Sequence, residues 1–322
     1  MLFAISGAVL MISDILQFAP VPLAILLLAV GMDLMLGEPP AGVHPVVLMG
    51  RLISLLKGRA RRTRGWGLAI ALVVILSSAG VGHLLIAAGD LLGLGMGVLV
   101  SAYLLKSTIA IRCLIQTSSE IGRLVEEDFN RAKRLLPALV SRNPQKLTRT
   151  QATSAVIESL TENYVDTIVS PLFYYLLFSP IGLGVEAALA FKATNTLDSM
   201  LGYRTVELRE LGWASARIDD LANWAPARLS LPILAAARPS RAGQALRVAL
   251  RDHAATPSPN SGWPMAAAAG ALGIRLEKPG VYVVGEGGAE PSTGDLKPAL
   301  RLVETAIALA VAGSVLVLLL PT

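Results

Sequence analysis

The sequence WGLAIALVVILSSAGVGHLLIAA at residues 66–88 decides the fold of this chain, together with LLGLGMGVLVSAYLLKSTIAI at residues 91–111. Each stretch reaches the length of about 20 apolar residues that a helix needs to cross a bilayer. Because only a short connection separates them, the two stretches are expected to form a tight helical hairpin. Gly89, Gly93 and Gly97 recur at four-residue spacing, which lets helix backbones approach closely in lipid.

The composition of the whole chain supports a membrane protein. Of its 322 residues, 53% are hydrophobic and 16% are charged. These values exclude a disordered chain, and an ordinary soluble domain has no core large enough for so many apolar residues. The single cysteine, Cys113, excludes an intramolecular disulfide framework. One cysteine and three scattered histidines cannot supply a standard structural zinc site.

Further apolar stretches extend the membrane region. Pro20 to Leu36 and Leu300 to Leu320 are each long enough to be expected as spans. The stretch from Ile168 to Phe191 is broken near its middle by serine, proline and glycine, which favours a broken or re-entrant hairpin over a single crossing. The apolar residues 1–18 contain Asp14 and are compatible with a signal peptide, an interfacial helix or a separate span.

The loop after the first span is strongly basic. Because positive charge in short loops marks the cytoplasmic side, we expect this loop to face the cytoplasm. No aromatic residues interleave with the charges, which favours a topology signal over nucleic-acid or phosphate binding. The six basic residues are Arg51, Lys57, Arg59, Arg61, Arg62 and Arg64.

These patterns predict an all-α, polytopic integral membrane protein with about 4–6 membrane segments. We expect it in the cell membrane, with the active site facing the cytoplasm. The end of the polar region 192–298, from Pro279 to Pro298, is rich in glycine and proline and predicts a long loop. The predicted divisions are N-terminal membrane segments at 1–115 with the basic cytoplasmic loop at 37–65, a cytoplasmic helical segment at 116–167, a broken membrane segment at 168–191, a cytoplasmic catalytic region at 192–298 and a transmembrane helix at 299–322.

Acidic residues near the broken segment form the first candidate site. Glu158, Glu162 and Asp166 recur at four-residue spacing and are expected to share one helix face. Carboxylates so placed could hold Mg²⁺ or transfer protons. A solvated helix face is the alternative, although charges beside a membrane usually have a partner or a purpose.

The second candidate site is the densest polar stretch of the chain. Asn195 with Asp198, and Asp219 with Asn223, have helical spacings that could direct oxygen ligands at one Mg²⁺. Arg217 could clamp a phosphate group, or it could pair with Asp220 or Glu210. Two tryptophans flank these residues, and each could belong to an interfacial belt, to the core or to a ligand site. They are Trp213 and Trp224.

The third candidate site is the segment from Thr256 to Pro264, which precedes an alanine-rich stretch. Polar residues bracketed by prolines at a helix N-terminus could hold a phosphate or a carboxylate through backbone N–H groups, and an ordinary capped turn is the alternative. The chain contains neither a P-loop nor a dinucleotide-binding fingerprint. His44, His83 and His253 are more typical of packing or local hydrogen bonds than of a metal site.

Five motifs make the chain resemble the adenosylcobinamide-phosphate synthase family of cobalamin biosynthesis, also called the CbiB/CobD family. The resemblance covers nearly the whole chain after the first apolar stretch. Departures occur at Glu38 and Asn143, where the family commonly has Asp, at Tyr164 and Val165, where it has small polar residues, and at Met265, where it has Glu. The motifs are Gly37-Glu38-Pro39-Pro40 with His44-Pro45 and Gly50-Arg51, Glu158-Ser-Leu-Thr-Glu162-Asn163, Asn195-Thr-Leu-Asp198-Ser-Met, Gly212-Trp-Ala-Ser-Ala-Arg217-Ile-Asp219-Asp220-Leu-Ala-Asn223-Trp224 and Ser258-Pro-Asn260-Ser-Gly262-Trp263-Pro264.

The resemblance implies a membrane ligase that joins adenosylcobyric acid to (R)-1-aminopropan-2-ol O-phosphate, or to a related amino alcohol phosphate. The product is the amide adenosylcobinamide phosphate. Because forming an amide from a carboxylate in water is uphill, ATP and Mg²⁺ are expected, with an acyl phosphate as the expected intermediate. The expected partners are these substrates and the lipid bilayer, not nucleic acid. A second copy of the chain or another corrinoid-pathway enzyme is a further candidate partner.

The resemblance also implies roles for the candidate residues. Five carboxylates would hold Mg²⁺ or deprotonate the incoming ammonium: Glu158, Glu162, Asp198, Asp219 and Asp220. The expected metal ligands among them are Asp198, Asp219 and Asp220. The expected phosphate ligands are Arg217, Ser258 and Asn260. Tryptophans would pack against the corrinoid, namely Trp213, Trp224 and Trp263. The remaining expected substrate-binding residues are Asn163, Asn195 and Asn223.

Two other functions would fit parts of the pattern. A magnesium-dependent transferase acting on prenyl or lipid diphosphates would also place Asp and Asn near a membrane, and it predicts a deep apolar groove and activity without ATP. A non-enzymatic component of corrinoid transport would need polar residues inside the spans. The spans contain few such residues, and both functions rank below the ligase.

Overall fold

The computed structural model describes residues 20–140, 144–203 and 205–320, and its regular structure is almost entirely helical. The predicted stretch 1–18 lies outside the described residues. The helices are α1 Val21–Leu36, α2 Pro45–Lys57, α3 Arg64–Leu91, α4 Leu94–Thr108, α5 Ile111–Glu127, α6 Phe129–Leu135, α7 Arg149–Tyr164, α8 Ser170–Phe178, α9 Gly184–Leu201, α10 Trp213–Ala222, α11 Trp224–Ala237, α12 Ala242–Asp252, α13 Gly262–Leu272 and α14 Leu296–Leu319.

The chain folds as two compact units that interleave along the sequence. Of the described residues, the first unit contains those within 20–110, 170–222 and 312–320, and the second those within 111–169 and 223–311. The segment 192–298, expected to form one catalytic region, therefore contributes residues to both units.

Three stretches of helix among the described residues are long and apolar enough to cross a membrane: Arg64–Leu91, Leu94–Glu127 and Thr293–Leu319. This finding confirms the prediction of an all-α membrane protein. Helix α1 is apolar but shorter, with 16 residues. A helix of that length falls just below the usual range for a span, about 17–25 residues.

Glycine packing joins α3 and α4 at two of the three predicted positions, Gly89 and Gly97, whereas Gly93 lies in the turn and its Cβ position has no neighbour within 4 Å. A Cβ atom on Gly89 would lie 3.1 Å from the Cα atom of Gly97, and a Cβ atom on Gly97 would lie 1.7 Å from a carboxylate oxygen of Asp90. A side chain at Gly89 would press on the Gly97 backbone, and one at Gly97 would require the Asp90 side chain to move. The helical hairpin therefore depends on close approach of the two backbones.

The segment predicted to be a broken membrane hairpin consists of α8 and α9, which pack against each other. A 3₁₀ turn at Ser179–Ile181 ends α8, and Gly182 follows with φ of 75° in the left-handed region. Glycine adopts this conformation without the steric cost of a side chain. The break and the packing are those of the predicted hairpin.

The second unit contains a small β-hairpin that the sequence did not predict. Strand β1, Leu276–Lys278, pairs antiparallel with β2, Tyr282–Val284. The second strand lies within the predicted long loop 279–298. Three-residue strands give too short an alternation of polar and apolar residues to be recognised from sequence.

Candidate active site

The structure divides the predicted site residues between the two units, so each unit carries its own polar cluster. The second unit holds Glu158, Glu162, Asn163, Asn223, Trp224, Ser258, Asn260 and Trp263, and the first holds Asn195, Asp198, Trp213, Arg217, Asp219 and Asp220.

An arginine lies among aromatic side chains in the second unit. The guanidinium of Arg228 lies 4.3 Å from the ring centre of Trp224 and 5.1 Å from that of Trp263. It donates to the Trp224 carbonyl oxygen at 2.7 Å and approaches Oδ1 of Asn260 at 3.5 Å. His253 stacks on Trp263 with ring centres 3.9 Å apart. We call Trp224, Arg228, His253, Asn260 and Trp263 the aromatic–arginine cluster.

Arg228 is the central cation of this cluster, and it was not among the predicted site residues. Partial burial lowers its pKa below the ordinary arginine value, although an arginine stays protonated at neutral pH. One sequence signal could have identified it, because Arg228 follows Trp224 by four residues and so lies on the same face of α11.

The hydrogen bonds of His253 determine which ring nitrogen is basic. Its Nδ1 lies 3.2 Å from the carbonyl oxygens of both Ala249 and Leu250. Carbonyl oxygens only accept, so Nδ1 carries the proton in the neutral ring and Nε2 carries the lone pair. The packing and local hydrogen bonds expected of His253 are both present.

The indole of Trp263 adds a donor without an acceptor. Its Nε1 is buried and has no hydrogen-bond partner among the described residues. A buried donor left unpaired costs about 1–3 kcal/mol, which a ligand oxygen could recover. The cluster therefore combines a cation, an imidazole lone pair and an unpaired N–H donor within one unit.

Glycine at position 262 permits this arrangement. A Cβ atom there would lie 2.0 Å from the carbonyl oxygen of His253. Only glycine lets the start of α13 approach His253 this closely. The adjacent Trp263 is thereby brought onto the imidazole ring.

Ser258 has a local structural role. Its hydroxyl oxygen accepts from the backbone N–H groups of Asn260 and Ser261, at 3.2 and 3.4 Å. This geometry is the capped turn that was the alternative to phosphate binding at this helix N-terminus. Asn260 is buried and retains its contact with Arg228.

Glu158 is buried rather than solvated, which excludes the solvated alternative for this residue. It is 2% exposed. Ser154 donates to one carboxylate oxygen at 2.6 Å and Tyr282 donates to the other at 2.6 Å. The Tyr282 hydroxyl also lies 3.7 Å from the sulfur of Met265, one of the departures from the family pattern. Asn143 lies outside the described residues.

The three acids of the first motif do not share one environment. Glu162 is exposed and Asp166 is half-buried, in contrast to Glu158. A π-helical turn at Val165–Val169 follows α7. Asn163 donates to the carbonyl oxygen and hydroxyl of Ser159.

The acids of the first unit lie on two helices that pack together, α9 and α10. Asp198 is half-buried, and a Cβ atom on Gly202 would lie 1.9 Å from one of its carboxylate oxygens. Asp219 interacts electrostatically with Tyr174, whose phenol donates to the Ala222 carbonyl oxygen at 3.0 Å. Tyr174 thus ties α8 to the end of α10, beside Asp219.

Arg217 and Trp213 differ in whether another side chain contacts them. Arg217 is exposed, and among the described residues it has no hydrogen bond or ion pair. The predicted alternative partner Glu210 pairs instead with Arg64 at 2.9 Å. The Arg64 guanidinium also lies 5.1 Å from the ring centre of Trp213.

A magnesium site here would need few protein ligands. Among the described residues, no group of three or more His, Cys, Asp or Glu side chains is arranged to hold a metal ion. Mg²⁺ is commonly bound by one or two carboxylates, with water and substrate phosphates completing its shell. The half-buried carboxylates of α9 and α10 fit such a partial site in their chemistry.

A charged network explains the Gly37-Glu38-Pro39-Pro40 and His44-Pro45 motifs. Glu38 accepts from His44 Nε2 at 2.9 Å and from the buried Lys106 ammonium at 3.0 Å, and Lys106 lies 3.4 Å from Asp33. Partial burial acts to raise the pKa of Glu38, but the bonds from His44 and Lys106 outweigh it and lower the pKa below its ordinary value. His44 Nδ1 accepts from the Val46 N–H and caps α2.

Sequence comparisons identify the family. A profile of the family described as "CobD/Cbib protein" matches residues 26–311. The chain belongs to this family. The "Probable cobalamin biosynthesis protein CobD" of Methanothrix thermoacetophila is 53% identical over 308 residues, which cover 93% of this chain and 98% of the relative.

Less similar members of the family also match this chain over most of their length. The protein of the same name from Methanothermobacter thermautotrophicus is 41% identical, over 82% of this chain and 86% of its own length. The "Cobalamin biosynthesis protein CobD" of Photorhabdus laumondii is 39% identical, over 85% and 87%. No solved structure matches the chain.

Proposed function

We propose that the chain is the amide-forming ligase of cobalamin biosynthesis that makes adenosylcobinamide phosphate. Its substrates are adenosylcobyric acid and (R)-1-aminopropan-2-ol O-phosphate, or a related amino alcohol phosphate. Membership of the CobD/Cbib family supports the pathway. The aromatic–arginine cluster is the observation that carries the proposal, because it combines an aromatic surface, a cation and a proton acceptor.

The proposed reaction has two steps. The substrate carboxylate attacks the γ-phosphorus of ATP, which forms an acyl phosphate and releases ADP. The neutral amine then attacks the acyl carbon, and inorganic phosphate leaves as the C–N bond forms. Bound Mg²⁺ would neutralise phosphate charge, with Asp198, Asp219 and Asp220 as the proposed ligands.

The cluster supplies groups for the second step. Arg228, with Asn260, holds phosphate oxygens through charge-assisted hydrogen bonds. Nε2 of His253 accepts a proton from the substrate ammonium, since only the neutral amine is nucleophilic. The ring of Trp224, 55% exposed, offers an apolar surface to the corrinoid. We place this chemistry on the cytoplasmic side of the cell membrane.

The test is amide formation by the purified, detergent-solubilised chain. Adenosylcobyric acid, MgATP and aminopropanol phosphate are supplied together and then omitted one at a time, and the corrinoid product is followed by mass. We expect an amide that depends on ATP. Arg228→Ala should lower its rate about tenfold or more, because a charged hydrogen-bond donor is lost.

A control variant tests whether the rate falls when any arginine of this unit is lost or only when Arg228 is lost. Arg134 is exposed, belongs to the same unit and lies outside the cluster. Arg134→Ala should keep the parent rate. Absence of amide from folded protein that binds corrinoid would refute the ligase and favour a binding or transport role.

An apolar groove in the first unit favours a second candidate, transfer of a prenyl or lipid diphosphate. The groove has a volume of about 560 Å³ and is lined by residues of α2, α3 and α4, including Leu48, Val81 and Tyr103. A lipid tail would fit its chemistry. This candidate predicts turnover of a prenyl diphosphate without ATP, which the same preparation can test.

A further inference from the structure

A small cavity in the first unit contains no residue of the proposed ligase site. Its volume is about 220 Å³. Residues of α1, α3, α4, α8 and α9 line it, and all of these lining residues belong to the first unit. The cavity lies at the end of α3 that is farther from the basic loop, because Asp90, the last residue but one of α3, is part of its wall.

Two carboxylates give this cavity a negative charge. Asp90 and Glu186 line it, and no arginine or lysine is among the lining residues, all of which lie in the described part of the chain. Glu186 is 8% exposed, and one of its carboxylate oxygens lies 2.9 Å from His83 Nδ1. Even if His83 is protonated, one negative charge of the three groups remains. The lining therefore attracts a cation and repels a phosphate group.

Asp90 lies where a carboxylate is unfavourable. The C-terminal end of a helix carries partial negative charge, and Asp90 is in the last turn of α3. Its carboxylate lies over Gly97, which also lines the cavity. Within the residues that the structure describes, this carboxylate forms no ion pair and no hydrogen bond. Because charges in membrane segments usually have a partner, a bound cation would supply one here.

Ser101 adds a buried hydroxyl to the cavity wall. It is 4% exposed and lines the cavity. Its hydroxyl has no hydrogen-bond partner within the described ranges 20–140, 144–203 and 205–320. By contrast, Ser107 on the same helix donates to the Leu104 carbonyl oxygen at 2.7 Å. A buried hydroxyl without a partner costs free energy that a ligand in the cavity would recover.

We propose that this cavity binds a small primary ammonium ion. The three N–H donors of the ion match three acceptors, namely the carboxylates of Asp90 and Glu186 and the hydroxyl of Ser101. Ile25 and Ile86 offer an apolar wall to a short alkyl group. A metal ion fits less well, because no group of three or more His, Cys, Asp or Glu side chains among the described residues is arranged to hold one.

The charge of the lining also decides the source of the ammonium group. Phosphatidylethanolamine carries the same group, but its phosphate would meet no cation in this cavity. The same argument disfavours the amino alcohol phosphate of the proposed ligase. The ligand is therefore a free amine, and the inference does not rest on the proposed function.

The test measures the melting temperature of the full-length chain in detergent as propylammonium chloride replaces KCl at constant ionic strength. A ligand that binds the folded chain raises this temperature with its concentration, and the dependence gives the affinity. We expect propylammonium to raise the melting temperature. NaCl should not, and neither should propan-1-ol, the neutral counterpart of propylammonium with nearly the same shape.

Variants locate the site. Asp90→Asn should weaken propylammonium binding about tenfold, because a charged hydrogen bond is lost. Ser101→Ala should weaken it about threefold, because the lost bond involves a neutral hydroxyl. Glu207→Gln removes a negative charge at an exposed position of the same unit, outside the cavity, and should bind as the parent does.

Stability without an amine gives a second readout for Asp90. With no ligand present, Asp90→Asn should melt at a higher temperature than the parent, because a charge that opposes the end of α3 is removed. With propylammonium present, the parent should gain more than the variant. A purely structural role for Asp90 would instead lower the melting temperature of the variant in both conditions.

Three binding results would overturn the proposal. Equal affinity of the parent and Asp90→Asn would remove the site. An equal rise in melting temperature with NaCl or propan-1-ol would show that the ligand is not an ammonium ion. Loss of the propylammonium effect when phosphatidylethanolamine is added to the micelles would assign the cavity to a lipid headgroup.

Discussion

At the residue scale, the approach of α13 to His253 determines the geometry of the aromatic–arginine cluster. The approach is possible because residue 262 lacks a side chain, and Trp263 can then stack on His253. The positions of the proposed catalytic groups therefore depend on residue 262 having no Cβ atom. Removing a side chain of the cluster should reduce activity because a chemical group is lost. Adding a methyl group at residue 262 should reduce activity because the groups of the cluster are moved apart.

Gly262→Ala should destabilise the chain by about 1–3 kcal/mol, because the new methyl group forces backbone movement in a packed region. It should also lower the rate of amide formation, since it separates His253 from Trp263. Thermal unfolding and product mass measure the two effects. Gly243→Ala is the control, because a Cβ atom there has no neighbour within 4 Å. Equal stability of the two variants would contradict the packing argument.

Asp252 makes stability depend on pH. The hydrogen bond from Arg251 is the main cause of its lowered pKa; burial opposes the shift, and the Gly285 N–H supports it. A carboxyl whose pKa is lowered by folding stabilises the chain above the ordinary aspartate value of about 4 and loses that effect as pH falls through the folded value.

Asp252→Asn should therefore unfold at a lower temperature than the parent at neutral pH. This deficit should shrink as the pH falls below about 4. Thermal unfolding in detergent across this pH range is the measurement. Glu290→Gln, at an exposed site, should show no such trend. A deficit that stayed constant with pH would show that Asp252 acts through its shape and not its charge.

At the scale of elements, the α3–α4 hairpin follows from glycines placed where two helices touch. Gly89 faces Gly97, whereas Gly80 of the same helix has no neighbour within 4 Å of its Cβ position. A larger side chain should therefore destabilise the hairpin at residue 89 and not at residue 80, although both residues lie in one apolar helix.

Gly89→Leu should lower the melting temperature in detergent, because the leucine cannot fit against the Gly97 backbone. Gly80→Leu introduces the same side chain at an open position and should leave the melting temperature close to that of the parent. If both variants melted alike, the hairpin would not depend on this contact.

The sequence predicted the elements better than it predicted the site. The spans were recognisable because hydropathy over about 20 residues is a local signal. Arg228 and His253 were missed as site residues because their roles depend on contacts with α13, which the sequence does not reveal. The different burial of Glu158, Glu162 and Asp166 was not predicted, because burial depends on which elements pack against each residue. The predicted metal and substrate roles stay predictions.

At the scale of the whole molecule, the 28 residues of α3 have a length of about 42 Å at 1.5 Å per residue, more than a hydrocarbon core of about 30 Å. The two ends of α3 should therefore lie on opposite sides of the membrane. The basic loop precedes one end, and the turn into α4 follows the other.

A labelling experiment tests this topology in the background Cys113→Ser. Lys57→Cys should react with a membrane-impermeant maleimide only after cells are permeabilised, because positive charge predicts that the basic loop faces the cytoplasm. Leu92→Cys, at an exposed position in the turn after α3, should react in intact cells. The reverse pattern would contradict the cytoplasmic orientation of the basic loop.

The interleaving of the two units also constrains synthesis of the protein. The chain passes from one unit to the other after residues 110, 169, 222 and 311. Neither unit is a contiguous piece of the sequence, so the ribosome must release residue 311 before the second unit has all its parts. Maturation of that unit is therefore delayed until translation has passed residue 311.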